Sequence, residues 1–380
     1  MKCQKELFEV PDGVTYLNAA YMGPLLKTSA AIGEKAMRKK LTPWALPISD
    51  FFDPPNRFYQ LAADLIDARP SDVAIIPSVS YGTAIAAKNI KVNAGQNIVV
   101  MADQFPSNVY CWRTLAEEKG ANIVTVPWPE NGDWTTAILD SIDEDTALVA
   151  TANAHWTNGS YIDLVTVGKK VSSVNAALVL DLTQSLGVTP FSVKDVDPDY
   201  MVVGAYKWLL GPYSIGFLYA APRNQNGHPI EESWLSRKGA EDFTRLVDYQ
   251  EDYKEGARRY DMGEKSNFIN VAIAIDAFEF FQKHGVDAIS SYIKSLTDYI
   301  AAEARKIGLS VEEDKHRVPN LIGINFKEGV PKNVPEALAQ KNVYVSIRGD
   351  SIRIAPHVYN DIADVDRFFE VLKEALQKWL

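Results

Sequence analysis

Asp181 and Lys207 lie 26 residues apart, and each follows a short apolar run. Asp181 closes Ala176-Ala-Leu-Val-Leu-Asp181 and opens Asp181-Leu-Thr-Gln184. Lys207 follows Tyr200-Met-Val-Val-Gly204 and begins Lys207-Trp-Leu-Leu-Gly-Pro-Tyr-Ser-Ile-Gly216. A carboxylate and an amine at two strand ends suit a cofactor that is both an aldehyde and a pyridine. The acid keeps the ring nitrogen protonated, so the ring drains electrons from a substrate carbon. The amine attaches to the aldehyde and later carries the proton. Pyridoxal 5′-phosphate (PLP) has both groups. Outside that pattern, Asp181 reads as a helix-capping aspartate and Lys207 as a surface lysine.

These groups need a frame. Short apolar strands alternate with helical stretches from about residue 55 to 220. Strands are expected at Asp72–Pro77, Asn97–Ala102, Asn122–Pro127, Ala147–Ala152, Ala176–Asp181, Tyr200–Gly204 and Ile215–Ala220. Several are apolar throughout, as in a sheet covered on both faces. Helices are expected at Tyr81–Asn89, Asn108–Lys119 and Leu164–Val174. The alternation predicts an α/β fold with a mostly parallel, seven-stranded, doubly wound sheet, its site at the carboxyl ends of the strands. Ser80, Phe105, His155, Asp181 and Lys207 fall at those ends. Beyond Ala220 the chain reads as α+β. A helix is expected at Val271–His284, strands at Leu321–Phe326, Val343–Ile347 and Ser351–Ile354, and a last helix at Ile362–Trp379.

Composition narrows the partners. The chain has 380 residues, 47% of them hydrophobic, and a formal charge of −10. That length predicts two domains. We expect a segment 1–20 packing on the small domain or over the site, a large cofactor domain 21–264, and a small domain 265–380. The acidic balance opposes nucleic acid and anionic membranes as partners. No apolar run has the ~20 residues that span a bilayer. The polar start Met1-Lys-Cys-Gln-Lys-Glu lacks a secretory core, and the two cysteines, Cys3 and Cys111, suggest no disulfide framework. A cytoplasmic setting is expected.

Six segments, in order, resemble the class V aminotransferase family of fold-type I PLP enzymes, which includes cysteine desulfurases and kynureninases. They are Tyr16-Leu-Asn-Ala-Ala-Tyr-Met-Gly-Pro24, Phe105-Pro-Ser-Asn-Val-Tyr-Cys-Trp112, Asp181-Leu-Thr-Gln-Ser-Leu-Gly187, the Lys207 segment, Arg258-Arg-Tyr-Asp-Met-Gly263, and Ile352-Arg-Ile-Ala-Pro-His-Val-Tyr-Asn360. The resemblance implies a homodimer with shared sites. It makes Lys207 the covalent anchor, Asp181 the partner of the ring nitrogen, and Gln184 a donor to the phenolic oxygen. It makes Phe105 the residue stacked on the ring, where desulfurases carry histidine and kynureninases phenylalanine. Tyr206 matches the kynureninase residue at a phosphate position, and Gly204 replaces a desulfurase phosphate-binding serine. Ser80 and Tyr81, in Ser78-Val-Ser-Tyr-Gly82, are expected at the phosphate, although Ser78 and Ser80 equally suit plain N-capping. Lys265 and Ser266 lie near the segment that supplies contacts to a neighbouring subunit. In Ala154-His-Trp-Thr-Asn158, the cofactor contact falls on Asn158, Thr157 or Trp156. His155 reads equally as an acid–base near the substrate or a structural histidine. Arg353 is the expected α-carboxylate anchor, because guanidinium offers a planar fork. Arg348 is a second basic candidate, and Asn18 a further substrate contact.

A desulfurase needs a nucleophilic cysteine shortly before that arginine, and no cysteine follows Cys111. Transamination of a small amino acid is the favoured expectation. A PLP lyase (C–S or C–C, kynureninase-like) or epimerase comes next, then a non-catalytic PLP-fold binding protein. No metal is expected. A dinucleotide-binding sheet is disfavoured, since no Gly-x-Gly-x-x-Gly follows the first strand.

Overall fold

The computed structural model describes residues 1–377. Seven strands form one sheet, in the order Val73–Ile76, Gly216–Ala220, Tyr200–Gly204, Ala177–Asp181, Thr146–Thr151, Asn97–Met101, Asn122–Val126. Only Gly216–Ala220 runs against the rest. Apart from Ala177, these inner strands are buried along their length. Their side chains alternate between two cores. Leu178, Leu180, Met201 and Val203 enter one; Val179, Tyr200 and Val202 enter the other. That is why these runs are apolar at every position rather than at every second one.

Each edge of the sheet is handled differently. Asn122–Val126 is largely solvent-facing and carries polar residues there. Val73–Ile76 is covered by the segment around Arg258–Met262. Asp261 accepts the Ile75 N–H at 2.8 Å, and Met262 donates to the Ile75 carbonyl at 2.8 Å. Asp261 also takes the Tyr59 hydroxyl and pairs with Lys265, both at 2.7 Å. A strand edge that would invite pairing is thereby closed.

After the sheet the chain forms helices Phe268–His284 and Val286–Lys306, joined at Gly285, whose φ is +77°. The second helix had no counterpart in the sequence reading. Its Ile289, Ile293, Leu296, Ile300 and Ala304 are buried at helical spacing, so the signal was present as one apolar face. A three-stranded antiparallel sheet follows, Ser346–Arg348, Ser351–Ile354 and Ile322–Asn325. The single strand expected at Val343–Ile347 is split. Val343–Tyr344 pairs with Thr15–Tyr16 instead, so one run serves two sheets. The last helix runs Ile362–Gln377; Lys378 and Trp379 of its expected span lie outside the described residues. Among the described residues no helix is long and apolar enough to cross a membrane.

Candidate active site

The carboxyl ends of the parallel strands open onto a cavity of about 310 Å³, lined by both Asp181 and Lys207. Asp181 is 7% exposed, and one of its oxygens accepts the Thr183 N–H at 3.0 Å. Burial raises its carboxyl above the ordinary range, against the bonds from Thr183 and the charge of Lys207. A buried carboxylate with so little compensation gains strongly from a cationic N–H. Across the cavity, Lys207 Nζ lies 5.2 Å from the Phe105 ring centre and 5.3 Å from that of Tyr206. Burial lowers its amine to about 8; Asp181 opposes this, while Arg353 and Arg348 add to it. Acid and amine face one space without forming an ion pair among the described residues.

The loop carrying Lys207 is held tightly. A Cβ on Gly216 would stand 2.1 Å from the Val203 carbonyl oxygen, so the return strand needs glycine there. Gly23 sits equally close to the Lys207 carbonyl, and its N–H donates to the Tyr206 carbonyl at 2.9 Å. The N-terminal segment thus clamps the lysine from above.

At the other end of the cavity, Ser78 caps helix Val79–Asn89 and accepts the Tyr81 N–H at 3.2 Å. The Ser78 and Ser80 hydroxyls lie 2.9 Å apart and both residues line the cavity, as does Ser214. Hydroxyls at the start of a helix suit a phosphate. Tyr81 does not line the cavity. Successive helical residues point about 100° apart, so the turn that aims Ser80 inward carries Tyr81 into the core packing. Its hydroxyl is buried there without a partner. Gly204 leaves room for the Tyr206 ring, which would lie 2.9 Å from an added Cβ. Burial, and next the charge of Asp181, raises the Tyr206 phenol to about 12, so it stays a neutral donor.

Gln184 lines the cavity with its amide engaged twice: Nε2 donates to the Ala20 carbonyl at 3.0 Å, and Oε1 accepts from Trp208 at 2.9 Å. One amide hydrogen remains. Gln104 was missed by the sequence reading. It is 6% exposed, its Oε1 accepts the Phe105 N–H at 2.8 Å, and its buried Nε2 lacks a partner at the cavity wall. A polar residue beside Phe105 at a strand end was its signal.

The loop after Thr146–Thr151 departs most from expectation. Trp156, not Asn158, lines the cavity. Asn158 Oδ1 instead accepts from the Ser160 N–H at 3.1 Å and hydroxyl at 2.9 Å, closing a turn. The Thr157 hydroxyl is taken by His155 Nδ1 at 2.7 Å. His155 is fully buried, donates from Nε2 to the Ala102 carbonyl at 3.0 Å and stacks on Trp134. Burial drops it to about 4, so the ring is neutral, and it does not line either cavity.

An outer cavity of about 430 Å³ shares Phe105, Trp156 and Lys207 with the first and adds Arg348 and Arg353. Arg353 is 1% exposed. It donates to the Trp156 carbonyl at 2.9 Å and the Ser346 hydroxyl at 3.4 Å, and its Nε is buried without a partner. Burial, then the charge of Arg348, presses its guanidinium down to about 9. A guanidinium keeps its proton, so that pressure is what an incoming carboxylate relieves. Asn18 stands behind this group: it accepts from Ser346 at 2.9 Å and does not line the cavity. Lys265 is sequestered by Asp261, and Ser266 donates to the Phe51 carbonyl at 2.6 Å. Neither turns toward this cavity.

The class-V aminotransferase family model matches residues 57–368. The chain belongs to that family. It is 25% identical to an uncharacterized aminotransferase of Bacillus subtilis over 78% of this chain and 77% of the relative. It is 22% identical to a kynureninase of Bacillus cereus over 97% of this chain and 90% of the relative. Its fold matches an apo cysteine desulfurase from Thermococcus onnurineus, with a TM-score of 0.86, 18% identity, and coverage of 100% and 99%. The same fold holds in a C-DES mutant with glycine covalently linked to its PLP cofactor, at TM-score 0.86 and 16% identity, covering 97% and 98%. PLP is the cofactor of this class-V family member, and the cavity fits it. An undercompensated buried acid, a free buried amine, an aromatic wall and paired hydroxyls at a helix start match its nitrogen, aldehyde, ring and phosphate.

Proposed function

We propose that this class-V aminotransferase transfers the amino group of a small amino acid to a keto acid, with Lys207 as covalent anchor and proton carrier. One observation carries the reading: Lys207 is the base that faces the cavity opposite Asp181, while Phe105 brings no proton and His155 is sealed away. When bound, PLP supplies an aldehyde for amines and a ring that draws electrons from the substrate α-carbon. Asp181 would hold the ring nitrogen, Ser78 and Ser80 the phosphate, and Arg353 the α-carboxylate. Lys207 Nζ, lowered to about 8, gives and takes a proton near neutral pH. Moving a proton between two carbons on one face needs only that amine.

A C–S or C–C lyase is the second reading, supported by likeness to a kynureninase and to desulfurases. A lyase must also protonate a leaving group, and Tyr206, held to about 12, is a weak acid for that. The persulfide route is disfavoured further. Cys111 lies in helix Tyr110–Lys119, lines neither cavity, and has a thiol raised to about 11 by burial. Incubating the PLP-loaded enzyme with a panel of amino acids and a keto acid tests the choice. New keto acid without free ammonia is expected; ammonia in step with keto acid moves the assignment to C–S lyase, and a shorter amino acid with neither moves it to C–C lyase.

A homodimer is part of this reading. Tyr21 and Tyr213 line the outer cavity yet are 59% and 64% exposed, an aromatic rim that a second copy can cover. Light scattering that finds a fully active monomer at micromolar concentration rejects it.

A further inference from the structure

We propose that the substrate carries an acidic side chain: the site takes a dicarboxylic amino acid, with Arg348 reading the second carboxylate. The inference rests on the reading above, in which Arg353 holds the α-carboxylate.

The hairpin sets up the pair. Antiparallel register places Ser346 opposite Arg353 and Arg348 opposite Ser351. Arg348 and Arg353 are therefore diagonal neighbours on one face, with Cα atoms roughly 7–8 Å apart. Both line the outer cavity with Lys207, and no Asp or Glu lines it. Trp156 organises both guanidinium groups. Its carbonyl accepts from Arg353 at 2.9 Å, and its ring centre lies 5.4 Å from the Arg348 guanidinium carbon. Trp156 is itself fixed, since its indole N–H donates to the Asp103 carbonyl at 2.7 Å.

Neither arginine is satisfied by the protein. Arg348 donates to the carbonyl of its own neighbour, Ile347, at 2.7 Å, and its Nε is buried without a partner. An arginine placed merely for solubility would turn its fork to water. Here two forks face one chamber that already holds the Lys207 amine. A single α-carboxylate satisfies one fork and leaves the half-buried Arg348 with its buried Nε unpartnered, which is unfavourable. A second carboxylate, a few bonds away in a four- or five-carbon amino acid, satisfies both. A neutral side chain there would forfeit that gain and leave Arg348 donors empty.

The test uses the PLP-loaded enzyme and acids that lack an amino group, so binding is read without turnover. Calorimetric titration compares succinate and glutarate with propionate and butyrate. The diacids are expected to bind at least about tenfold tighter, the scale of one charged contact. Arg348→Gln should remove that preference, Arg348→Lys should restore part of it, and Arg353→Gln should weaken both classes. Arg348→Lys also keeps the test open should Arg348→Gln fail to fold. Equal binding of both classes by the unmodified enzyme, or a preference that survives in Arg348→Gln, overturns the proposal. If diacids show no advantage while a neutral amino acid still yields keto acid without ammonia, this inference falls and transamination stands. If diacids are preferred and an acidic amino acid releases ammonia, the reverse holds.

Discussion

Lys207 and Asp181 line one cavity and influence each other's charge, and their separate variants should fail differently. Lys207→Ala removes the proposed covalent anchor, the one lysine that lines either cavity among the described residues. Borohydride treatment of that variant should leave no cofactor bound to the chain; label retained after denaturation would remove Lys207 from its role. The lysine also sets a pH dependence. In the proposed role its neutral amine attaches cofactor, and burial has brought its proton affinity to about 8. Covalent loading of apoenzyme should therefore accelerate as pH rises through about 8 and level off above it. Asp181 raises that value, so Asp181→Asn should move the midpoint to lower pH. A midpoint near 10 in the unmodified protein would mean that the amine is not buried as described. Arg353→Leu should weaken substrate binding by about tenfold or more while cofactor occupancy holds. Equal loss of both would recast Arg353 as a structural residue.

At the scale of elements, the site depends on two places where backbone meets backbone. The N-terminal segment closes over the lysine loop through Gly23, and any Cβ there would stand 2.1 Å from the Lys207 carbonyl oxygen. No side-chain rotation relieves such a contact, so one segment must move. Gly23→Ala should cost about 1–3 kcal/mol of stability. It should also slow covalent cofactor loading, because the displaced partner is the lysine loop itself. Thermal denaturation and the loading rate check this together. A variant that melts and loads like the parent would show that the clamp is unimportant. The hairpin Ser346–Arg348 and Ser351–Ile354 plays the matching part on the substrate side, since its register sets where both arginines emerge.

For the whole molecule, two buried histidines tie stability to pH. His155 and His357 each donate from Nε2 to a main-chain carbonyl at 3.0 Å, those of Ala102 and Trp208. Burial lowers both to about 4 in the folded chain, against about 6.5 when unfolded. Between those values the unfolded chain binds more protons, so acid favours unfolding. Each histidine should withdraw up to about 3 kcal/mol as pH falls from 6.5 to 4. The denaturation midpoint should drop steadily over that window. A flat profile from pH 7 to 5 would contradict the buried, neutral state of both rings.

Much of this protein was legible along the chain, and the rest was not, for one physical reason. The inner strands announced themselves because a strand buried on both faces must be apolar at every position, as Val179 and Leu180 are toward opposite cores. Asp181 and Lys207 were legible because one closes such a run and the other lies three residues past another, so strand direction alone brings them to one end of the sheet. Side-chain orientation within a turn carries no comparable signal. Ser80 and Tyr81 are adjacent, yet only the helix start decides that Ser80 faces the cavity. Trp156, Thr157 and Asn158 were indistinguishable until Asn158 closed its turn on Ser160 and His155 bonded to Ala102. Likewise Arg348 and Arg353 are five residues apart in sequence, and only antiparallel pairing turns that spacing into two forks on one face. Local pattern determined which residues end the strands; long-range hydrogen bonds decided which of their neighbours look inward.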